Sequence, residues 1–342
     1  MGMKLFGILP DHREVYNYQI ENEYLRAEVS AFGCVLLSLK LKEKNNLDVV
    51  LGYKDLDAYL TNKGNLGAVI APNANRTEGA SFTMDGISYP LEKNNGENNL
   101  HSSVLYGAQK QLWKLIELGD NYVVLQLKLS HLENGFPGER LLNVTYYLEE
   151  KSLLLKYDMV SDRKTVFNPT NHTYFNLNGH NSGTVLNHTA VMNCSYFTPV
   201  KQGAITTGEI RSVEGTVFDF RKGKRISEGY DPQDEQMILS NGIDHNLVID
   251  GYDGTFRYFG KVTSDITKIT MKCYTDLPGV QFYTGNYLGC PLGKEGADYK
   301  PQMGLCLETQ YFPNCLVRPE FAKPFIEKDK WASTMTRYEF EY

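Results

Sequence analysis

Residues 141–159 read L-L-N-V-T-Y-Y-L-E-E-K-S-L-L-L-K-Y-D-M, and this stretch decides the fold. Large apolar side chains occupy every second position over residues 142–148 and again over residues 153–159. A period of two is the pattern of a β-strand that buries one face. A run of the same kind precedes them at residues 125–129, where leucines alternate with Gln126 and Lys128. These successive alternating runs predict an antiparallel meander with one buried face.

Strand signals of the same kind continue on both sides of this meander. Residues 82–84 and 87–89 flank Asp85-Gly86, a dipeptide that is typical of a two-residue hairpin turn. Further strand candidates lie at residues 25–29, 35–39, 246–249, 269–273 and 280–283. No convincing amphipathic helix emerges between them, so we predict an all-β protein with few or no helices.

The length and composition favour one large folded unit. The chain has 342 residues, which exceeds most single domains, but all-β sandwiches often run this long as one domain. Hydrophobic residues make up 42% of the chain and charged residues 22%, so there is enough apolar material for a large core. No low-complexity linker or tandem repeat divides the sequence. We therefore predict a single domain over residues 1–342.

Charge and cysteine usage argue against several classes of partner. The formal net charge is −6, and the Lys and Arg residues are scattered, which disfavours nucleic acid as a partner. No stretch is long and apolar enough to span a membrane, and residues 1–10 lack the apolar run of a signal peptide. The six cysteines show no C-x-x-C spacing, and free thiols suit a reducing compartment. We predict a cytoplasmic protein with no nucleic-acid or membrane partner.

Residues 168–177 read N-P-T-N-H-T-Y-F-N-L, which brings amides, a histidine and aromatic side chains together. On a strand, His172 could point into a cavity, but a histidine satisfied inside the core fits the same pattern. Other polar residues in similar β-like, aromatic surroundings are Asn75, Arg76, His101, Asp244, Gln281 and Glu308. Each of them has a structural explanation when taken singly, such as an ion pair between Arg76 and Asp244.

Read together, several segments resemble the aldose 1-epimerase family, the galactose mutarotases, in the expected order along the chain. The matching segments are Asn75-Arg76 with Gly79, Phe82 and Asp85-Gly86, then Asn94-Asn95-Gly96 with Leu100-His101, Phe136-Pro137-Gly138, residues 168–177, Thr216 with Asp219-Phe220-Arg221, Asp244-His245, residues 279–286 and Leu307-Glu308-Thr309-Gln310. The sequence departs from the family after His101, where Ser102 and Ser103 replace the usual pair of glycines. This departure bears on the backbone geometry next to His101.

The resemblance implies a large antiparallel β-sandwich of the galactose mutarotase type, often called a supersandwich. It also implies an enzyme that interconverts the α and β anomers of free aldohexoses such as galactose and glucose. Opening the sugar ring requires a base for the proton of the C1 hydroxyl and an acid for the ring oxygen, and it needs no cofactor or metal. The resemblance assigns Glu308 as the base and His172 as the acid. The substrate-binding residues that it implies are Asn75, Arg76, His101, Asp244 and Gln281.

Two alternative functions stay open from the sequence. An epimerase of hexose 6-phosphates should need further Arg or Lys residues for the phosphate, and Arg76 is the only such residue in the matched set. A non-catalytic carbohydrate-binding module would keep sugar-binding groups, but it would have no reason to retain both His172 and Glu308. The preferred aldose is not specified, and the sequence leaves open whether the protein is a monomer or a homodimer.

Overall fold

The computed structural model describes residues 2–342. The strands of the first half of the chain are β1 (Gly2–Ile8), β2 (Glu14–Glu21), β3 (Leu25–Ser30), β4 (Val35–Leu41), β5 (Leu47–Asp48), β6 (Val69–Ile70), β7 (Arg76–Thr77), β8 (Ser81–Met84), β9 (Ile87–Pro90), β10 (Asn99–Leu100), β11 (Lys114–Leu118), β12 (Tyr122–Leu129), β13 (Arg140–Glu149) and β14 (Ser152–Ser161). Those of the second half are β15 (Thr165–Val166), β16 (Thr170–Asn171), β17 (Thr189–Met192), β18 (Tyr196–Thr198), β19 (Val200–Lys201), β20 (Ile205–Thr206), β21 (Arg211–Ser212), β22 (Lys224–Arg225), β23 (Asp244–Val248), β24 (Arg257–Thr263), β25 (Thr270–Thr275), β26 (Gly279–Tyr283), β27 (Cys306–Gln310), β28 (Phe325–Ile326) and β29 (Ala332–Glu341).

The helices of residues 2–342 are short. The two α-helices, α1 (Leu56–Thr61) and α2 (Glu235–Ser240), have six residues each. Asp55 and Asp234 cap their N-termini by accepting hydrogen bonds from backbone N–H groups of the first turn. Short 3-10 helices lie at Lys42–Lys44, Glu78–Ala80, Ala108–Lys110, Glu133–Gly135, Ile226–Gly229 and Lys294–Gly296. The prediction of few or no helices is therefore confirmed, since six residues are too few to show an amphipathic period.

The predicted meander lies in the largest sheet, which has nine strands in the order β11-β12-β13-β14-β29-β25-β24-β17-β22. Strand β12 pairs antiparallel with β13, and β13 pairs antiparallel with β14, as the alternating pattern predicts. Buried residues alternate with more exposed ones along all of these strands. The C-terminal strand β29 then joins β14 to β25, so the two ends of the sheet belong to distant parts of the sequence.

Two five-stranded antiparallel sheets, β1-β2-β3-β4-β5 and β21-β18-β23-β26-β27, accompany the nine-stranded sheet. The largest hydrophobic cluster takes side chains from all three sheets and extends from Leu9 to Phe340. Packing of apolar sheet faces against one another is the architecture of a β-sandwich, and the prediction of a large antiparallel sandwich is confirmed. The single domain over residues 1–342 stays a prediction, with residue 1 outside the described part, and the continuity of this core agrees with it.

The hairpin expected around Asp85-Gly86 is present. Strand β8 pairs antiparallel with β9, and Met84 lies directly opposite Ile87. The two turn residues have φ values of 51° and 79°, which are the left-handed values that a type I′ turn requires.

Among residues 2–342, no helix has the length and apolar character needed to cross a membrane.

Candidate active site

Strands β23, β26 and β27, neighbours in the sheet β21-β18-β23-β26-β27, form the base of the candidate site. In the register of these strands Asp244 lies opposite Tyr283, and Tyr283 lies opposite Cys306. Two residues further along, Gln281 lies opposite Glu308. Side chains two positions apart on a strand point to the same face, so these residues share one polar and aromatic surface.

The predicted stretch 168–177 faces this surface. Strand β16 pairs antiparallel with β6, and the pairing continues through His172, whose N–H donates to the carbonyl oxygen of Ala68 at 2.9 Å. The N–H of Gly67 donates to the carbonyl oxygen of His172 at 3.0 Å. The backbone on both sides of the imidazole is thus fixed, and the histidine predicted from the sequence lies beside β27.

Between these elements lies a cavity of about 350 Å³. Six of the seven predicted site residues line it, namely Asn75, Arg76, His101, His172, Asp244 and Glu308. Gln281 is not among the lining residues, although it was predicted to bind substrate directly. The Nε2 of Gln281 donates to Oδ1 of Asp244 at 2.6 Å, and Asp244 does line the cavity. Further lining side chains include Tyr53, Lys63, Asn65, Tyr174, Tyr283 and Tyr287.

His172 and Glu308 meet at the bottom of the cavity. Nε2 of His172 lies 3.7 Å from Oε1 of Glu308, and the two side chains are only 7% and 3% exposed. Within residues 2–342, Oε2 of Glu308 has no hydrogen-bond partner. Burial raises the pKa of Glu308 well above its usual range, with a further increase from Asp244 and an opposing effect of Arg76. Burial also lowers the pKa of His172, to about 4.

His101 forms the next part of the wall and is held in one tautomer. Its Nδ1 accepts a hydrogen bond from the backbone N–H of Asn75 at 3.1 Å, so the neutral ring carries its proton on Nε2. Burial lowers the pKa of His101 well below 6.5, and the nearby His172 and Arg76 lower it further. His101 is therefore a neutral hydrogen-bond donor whose ring lies edge-on to that of His172, with 5.5 Å between the centroids.

The same tautomer bears on metal binding. One donor atom from each of His101, His172 and Glu308 lies within 4.8 Å of the other two, a grouping that could surround a metal ion. A neutral His101 that bound a metal through Nε2 would have to carry its proton on Nδ1, facing the N–H of Asn75. Because two donors would then face each other, the chemistry of this donor set is poorly suited to a metal.

Arg76 and Asp244 supply charge to the opposite wall. Their closest atoms, Nη1 and Oδ2, are 3.9 Å apart, and each side chain keeps about one-seventh of its surface exposed. Nε of Arg76 donates to Oδ1 of Asn95 at 3.3 Å, so the matching segment Asn94-Asn95-Gly96 helps to hold the guanidinium in place. Asn75 has a φ of 63° and accepts the N–H of Arg76 on its side-chain oxygen at 2.8 Å. Amides, a guanidinium and a carboxylate can all bind hydroxyl groups.

The two serines that depart from the family pattern lie next to His101. Ser102 has a φ of 68°, a left-handed value for which glycine is the usual residue. Its hydroxyl accepts from the N–H of Asn73 at 3.0 Å and donates to the carbonyl oxygen of Asn73 at 2.9 Å. The Ser103 hydroxyl donates to Glu92. These bonds let side chains occupy positions where glycines are expected, and His101 keeps its place on the cavity wall.

Comparison with known proteins places this fold and cavity in a family. The family model for aldose 1-epimerase matches residues 16–339. The chain belongs to the aldose 1-epimerase family. Galactose mutarotase from Bos taurus is 36% identical to it over 340 residues, which cover 98% of this chain and 97% of the relative. Aldose 1-epimerase from Escherichia coli K12 is 31% identical over 90% of each chain. A crystal structure of an aldose epimerase homologue from C. elegans has 27% identity and a TM-score of 0.88, covering 95% of this chain and 98% of that one.

Within this aldose 1-epimerase family chain, sequence reasoning missed the aromatic and sulfur side chains around His172. Tyr174 stacks on the imidazole at 5.0 Å between centroids, and Tyr283 meets it edge-on at 6.0 Å. Sγ of Cys306 lies 3.5 Å from Nδ1 of His172. A signal was available for Cys306, because it stands two residues before Glu308 on β27 and therefore on the same strand face.

Proposed function

We propose that this chain is an aldose 1-epimerase that interconverts the α and β anomers of free aldohexoses such as galactose and glucose. The observation that supports this most strongly is the buried pair of Glu308 and His172 at 3.7 Å in a cavity of about 350 Å³. An acid and a base at one end of a polar cavity are what the ring opening of a cyclic sugar requires. Membership of the family and the names of its relatives support the same reaction.

In the proposed reaction Glu308 as a carboxylate takes the proton of the C1 hydroxyl, and His172 as an imidazolium gives the Nε2 proton to the ring oxygen. The bond between C1 and the ring oxygen breaks, which leaves an open aldehyde, a protonated Glu308 and a neutral His172. Rotation about the C1 to C2 bond turns the other face of the aldehyde to the hydroxyl, and closure returns both protons. No proton is gained or lost over the cycle.

The directions of the two pKa shifts favour these transfers. A raised pKa makes Glu308 a stronger base, and a lowered pKa makes the His172 imidazolium a stronger acid. Burial thus stabilises the uncharged pair that accompanies the open sugar. In the empty cavity the same two shifts favour a protonated Glu308 beside a neutral His172. That state has the same number of protons as the reactive ion pair, so one internal transfer over 3.7 Å interconverts them.

The remaining predicted residues are proposed to bind and orient the sugar. His101 can donate its Nε2 proton to an oxygen in the cavity, because Nδ1 is already occupied by Asn75. Arg76, Asp244 and Asn75 offer donors and acceptors for the hydroxyl groups. We propose that Gln281 acts through Asp244, since its amide donates to that carboxylate and Gln281 is not among the residues that line the cavity.

Neither alternative function is favoured. A phosphate dianion would need basic groups free to bind it, whereas Arg76, on the cavity wall, already faces Asp244 and bonds Asn95. Lys63 is the other Lys or Arg side chain of the lining and is exposed, so a phosphate dianion would have this lysine but no second free cation to bind it. A non-catalytic binding module would have no use for a buried, unpartnered carboxylate oxygen next to a histidine, because burying such a group is costly.

Mutarotation of freshly dissolved α-galactose and α-glucose, followed by polarimetry, tests the proposal. The protein should accelerate the approach to anomeric equilibrium in proportion to its concentration, and galactose 6-phosphate should be a poorer substrate. An acceleration observed only with galactose 6-phosphate would show that the substrate is the phosphorylated sugar and not the free sugar. Fractionation of cells and light scattering address the proposed cytoplasmic location and the choice between monomer and homodimer.

A further inference from the structure

Cys306 is a buried side chain next to the proposed acid that neither the sequence motifs nor the proposed mechanism uses. It opens strand β27, two residues before Glu308, and none of its surface is exposed. Its Sγ lies 3.5 Å from Nδ1 of His172, and it is not among the residues that line the cavity. Within the described residues 2–342, no other side chain hydrogen-bonds to either nitrogen of this ring. The thiol is therefore the partner that the fold gives to Nδ1.

Stacking alone leaves the orientation of His172 undecided. The phenol ring of Tyr174 lies nearly parallel to the imidazole, at 25° and 5.0 Å between centroids, and this contact fixes the plane of the ring. A rotation of 180° about χ2 keeps that plane, but it exchanges Nδ1 with Cδ2 and Nε2 with Cε1. A hydrogen-bond partner that distinguishes nitrogen from carbon opposes this rotation, and Glu308, at 3.7 Å from Nε2, lies beyond hydrogen-bond distance. Cys306 is placed to oppose it.

We propose that Cys306 is a positioning residue for His172. Its sulfur accepts a hydrogen bond from Nδ1–H and so leaves Nε2, which faces Glu308, as the only ring nitrogen that exchanges a proton. This inference rests on the proposed function for its catalytic meaning, but the tautomer that it requires can be measured without any sugar. The imidazolium and the neutral ring left after proton donation both carry a proton on Nδ1, so the same bond serves both states.

A thiol suits this position better than the usual carboxylate partner. Burial raises the pKa of the Cys306 thiol well above its normal value, with further increases from Glu308 and Asp244, so the sulfur is uncharged. A neutral sulfur is a weak acceptor. It orients the ring without stabilising the imidazolium in the way that a carboxylate would, and His172 remains a strong acid.

Other titratable groups also face His172. Glu308 lies at Nε2, His101 and Tyr283 meet the ring edge-on, and Tyr174 covers one face. The charged side chains Arg76 and Asp244 line the same cavity. A shift in the pH profile of a variant could arise from any of them, so a measurement specific to the His172 nitrogens is needed.

The test combines imidazole ¹⁵N chemical shifts with kinetics of Cys306→Ala and Cys306→Ser. In the wild-type protein at pH 7.5, His172 should show a protonated Nδ1 and an unprotonated Nε2, whereas His101 should show the opposite tautomer and acts as the internal reference. Cys306→Ala should lose this tautomer preference at His172 and lower kcat about 10- to 100-fold with little change in KM, the scale expected when a reacting group is misplaced. Cys306→Ser, whose hydroxyl can accept the same bond, should regain part of the rate.

Cys273→Ala is the matched control, because Cys273 is also fully buried on a strand and its thiol hydrogen-bonds to the backbone carbonyl oxygen of Met271. It should keep wild-type kinetics. A wild-type His172 with its proton on Nε2, or a Cys306→Ala variant with unchanged kcat, would overturn the proposal. If Cys306→Ala does not fold, the wild-type tautomer and the serine variant decide it. A wild-type protein without mutarotation would refute the proposed function, and the assignment of Cys306 would still stand or fall by the tautomer.

Discussion

Replacing Glu308 with Gln separates the chemical role of this side chain from its structural cost. The amide has nearly the shape of the carboxylic acid, so the cavity and its contacts should be kept, but it cannot take a proton from the C1 hydroxyl. A general base contributes about 10² to 10⁴ in rate. At about 1.4 kcal/mol per factor of ten, we expect the barrier to rise by roughly 3 to 5 kcal/mol. The apparent KM should change by no more than about threefold, because binding contacts common to ground and transition states are kept.

The same substitution should stabilise the fold. The pKa of Glu308 is raised in the folded protein, so at neutral pH the unfolded chain is stabilised by ionisation of this carboxyl more than the folded protein is, which lowers the free energy of unfolding. Glutamine removes that effect. The melting temperature of Glu308→Gln should therefore exceed that of the wild type at pH 7.5, and the difference should shrink as the pH falls towards 4, where the carboxyl is protonated in both states.

Polarimetry with freshly dissolved α-galactose measures the activity of the variant, and thermal unfolding followed by circular dichroism measures its stability. Glu139→Gln is the matched control, because Glu139 is half exposed and pairs with Lys128 on the surface. Its activity should be unchanged and its stability should move by less than about 1 kcal/mol. Activity of Glu308→Gln within threefold of the wild type would refute the assignment of the base. A lower melting temperature would refute the account of its burial.

Three further predictions concern the support of the site and the fold. Gln281→Leu removes the donor at 2.6 Å from Asp244 and should raise KM about tenfold or more with a smaller effect on kcat, which substrate-saturation curves will measure. Ser102→Ala keeps the strained backbone but loses both hydroxyl bonds to Asn73, so urea unfolding should show a loss of about 1 to 3 kcal/mol, against a smaller loss for Ser102→Gly. The pKa is lowered in five buried histidines, namely His172 (about 4), His188 (about 4), His245 (about 3), His101 and His180. Unfolding lets each of them take up a proton between pH 6.5 and its folded pKa. The free energy of unfolding should therefore fall on acidification through this window, by up to about 1.4 kcal/mol per pH unit for each histidine. A urea midpoint that does not change between pH 7 and 5 would contradict this.

Much of the fold could be predicted from local patterns. The meander of β12, β13 and β14 and the hairpin at Asp85-Gly86 depend on neighbouring residues, and a period of two or a turn dipeptide specifies them directly. Which sheet a strand joins is decided by partners far along the chain. The pairing of β29 with β14 and β25 has no local signal, and short strands such as β16 have too few residues to show a period.

The candidate site divides in the same way. Residue types such as His172 and Glu308 could be singled out because buried ionisable groups are rare, and the resemblance to a family linked them across more than 130 residues. The hydrogen bond from Gln281 to Asp244 depends on strand register and not on residue type, so the sequence could not show it, and the role of Gln281 in binding the sugar stays a prediction. The partner of Nδ1 is a cysteine, a residue whose burial is common in a core, so its position two residues before Glu308 was the one signal in the sequence that pointed to it.

The most direct test of the central claim is the mutarotation rate of the purified wild-type protein with freshly dissolved α-galactose, measured by polarimetry at several enzyme concentrations. The account predicts a first-order approach to equilibrium whose rate constant increases linearly with enzyme concentration and falls at least a hundredfold per molecule in Glu308→Gln. A rate equal to that of buffer alone at every concentration of folded wild-type protein, for both galactose and glucose, would contradict it.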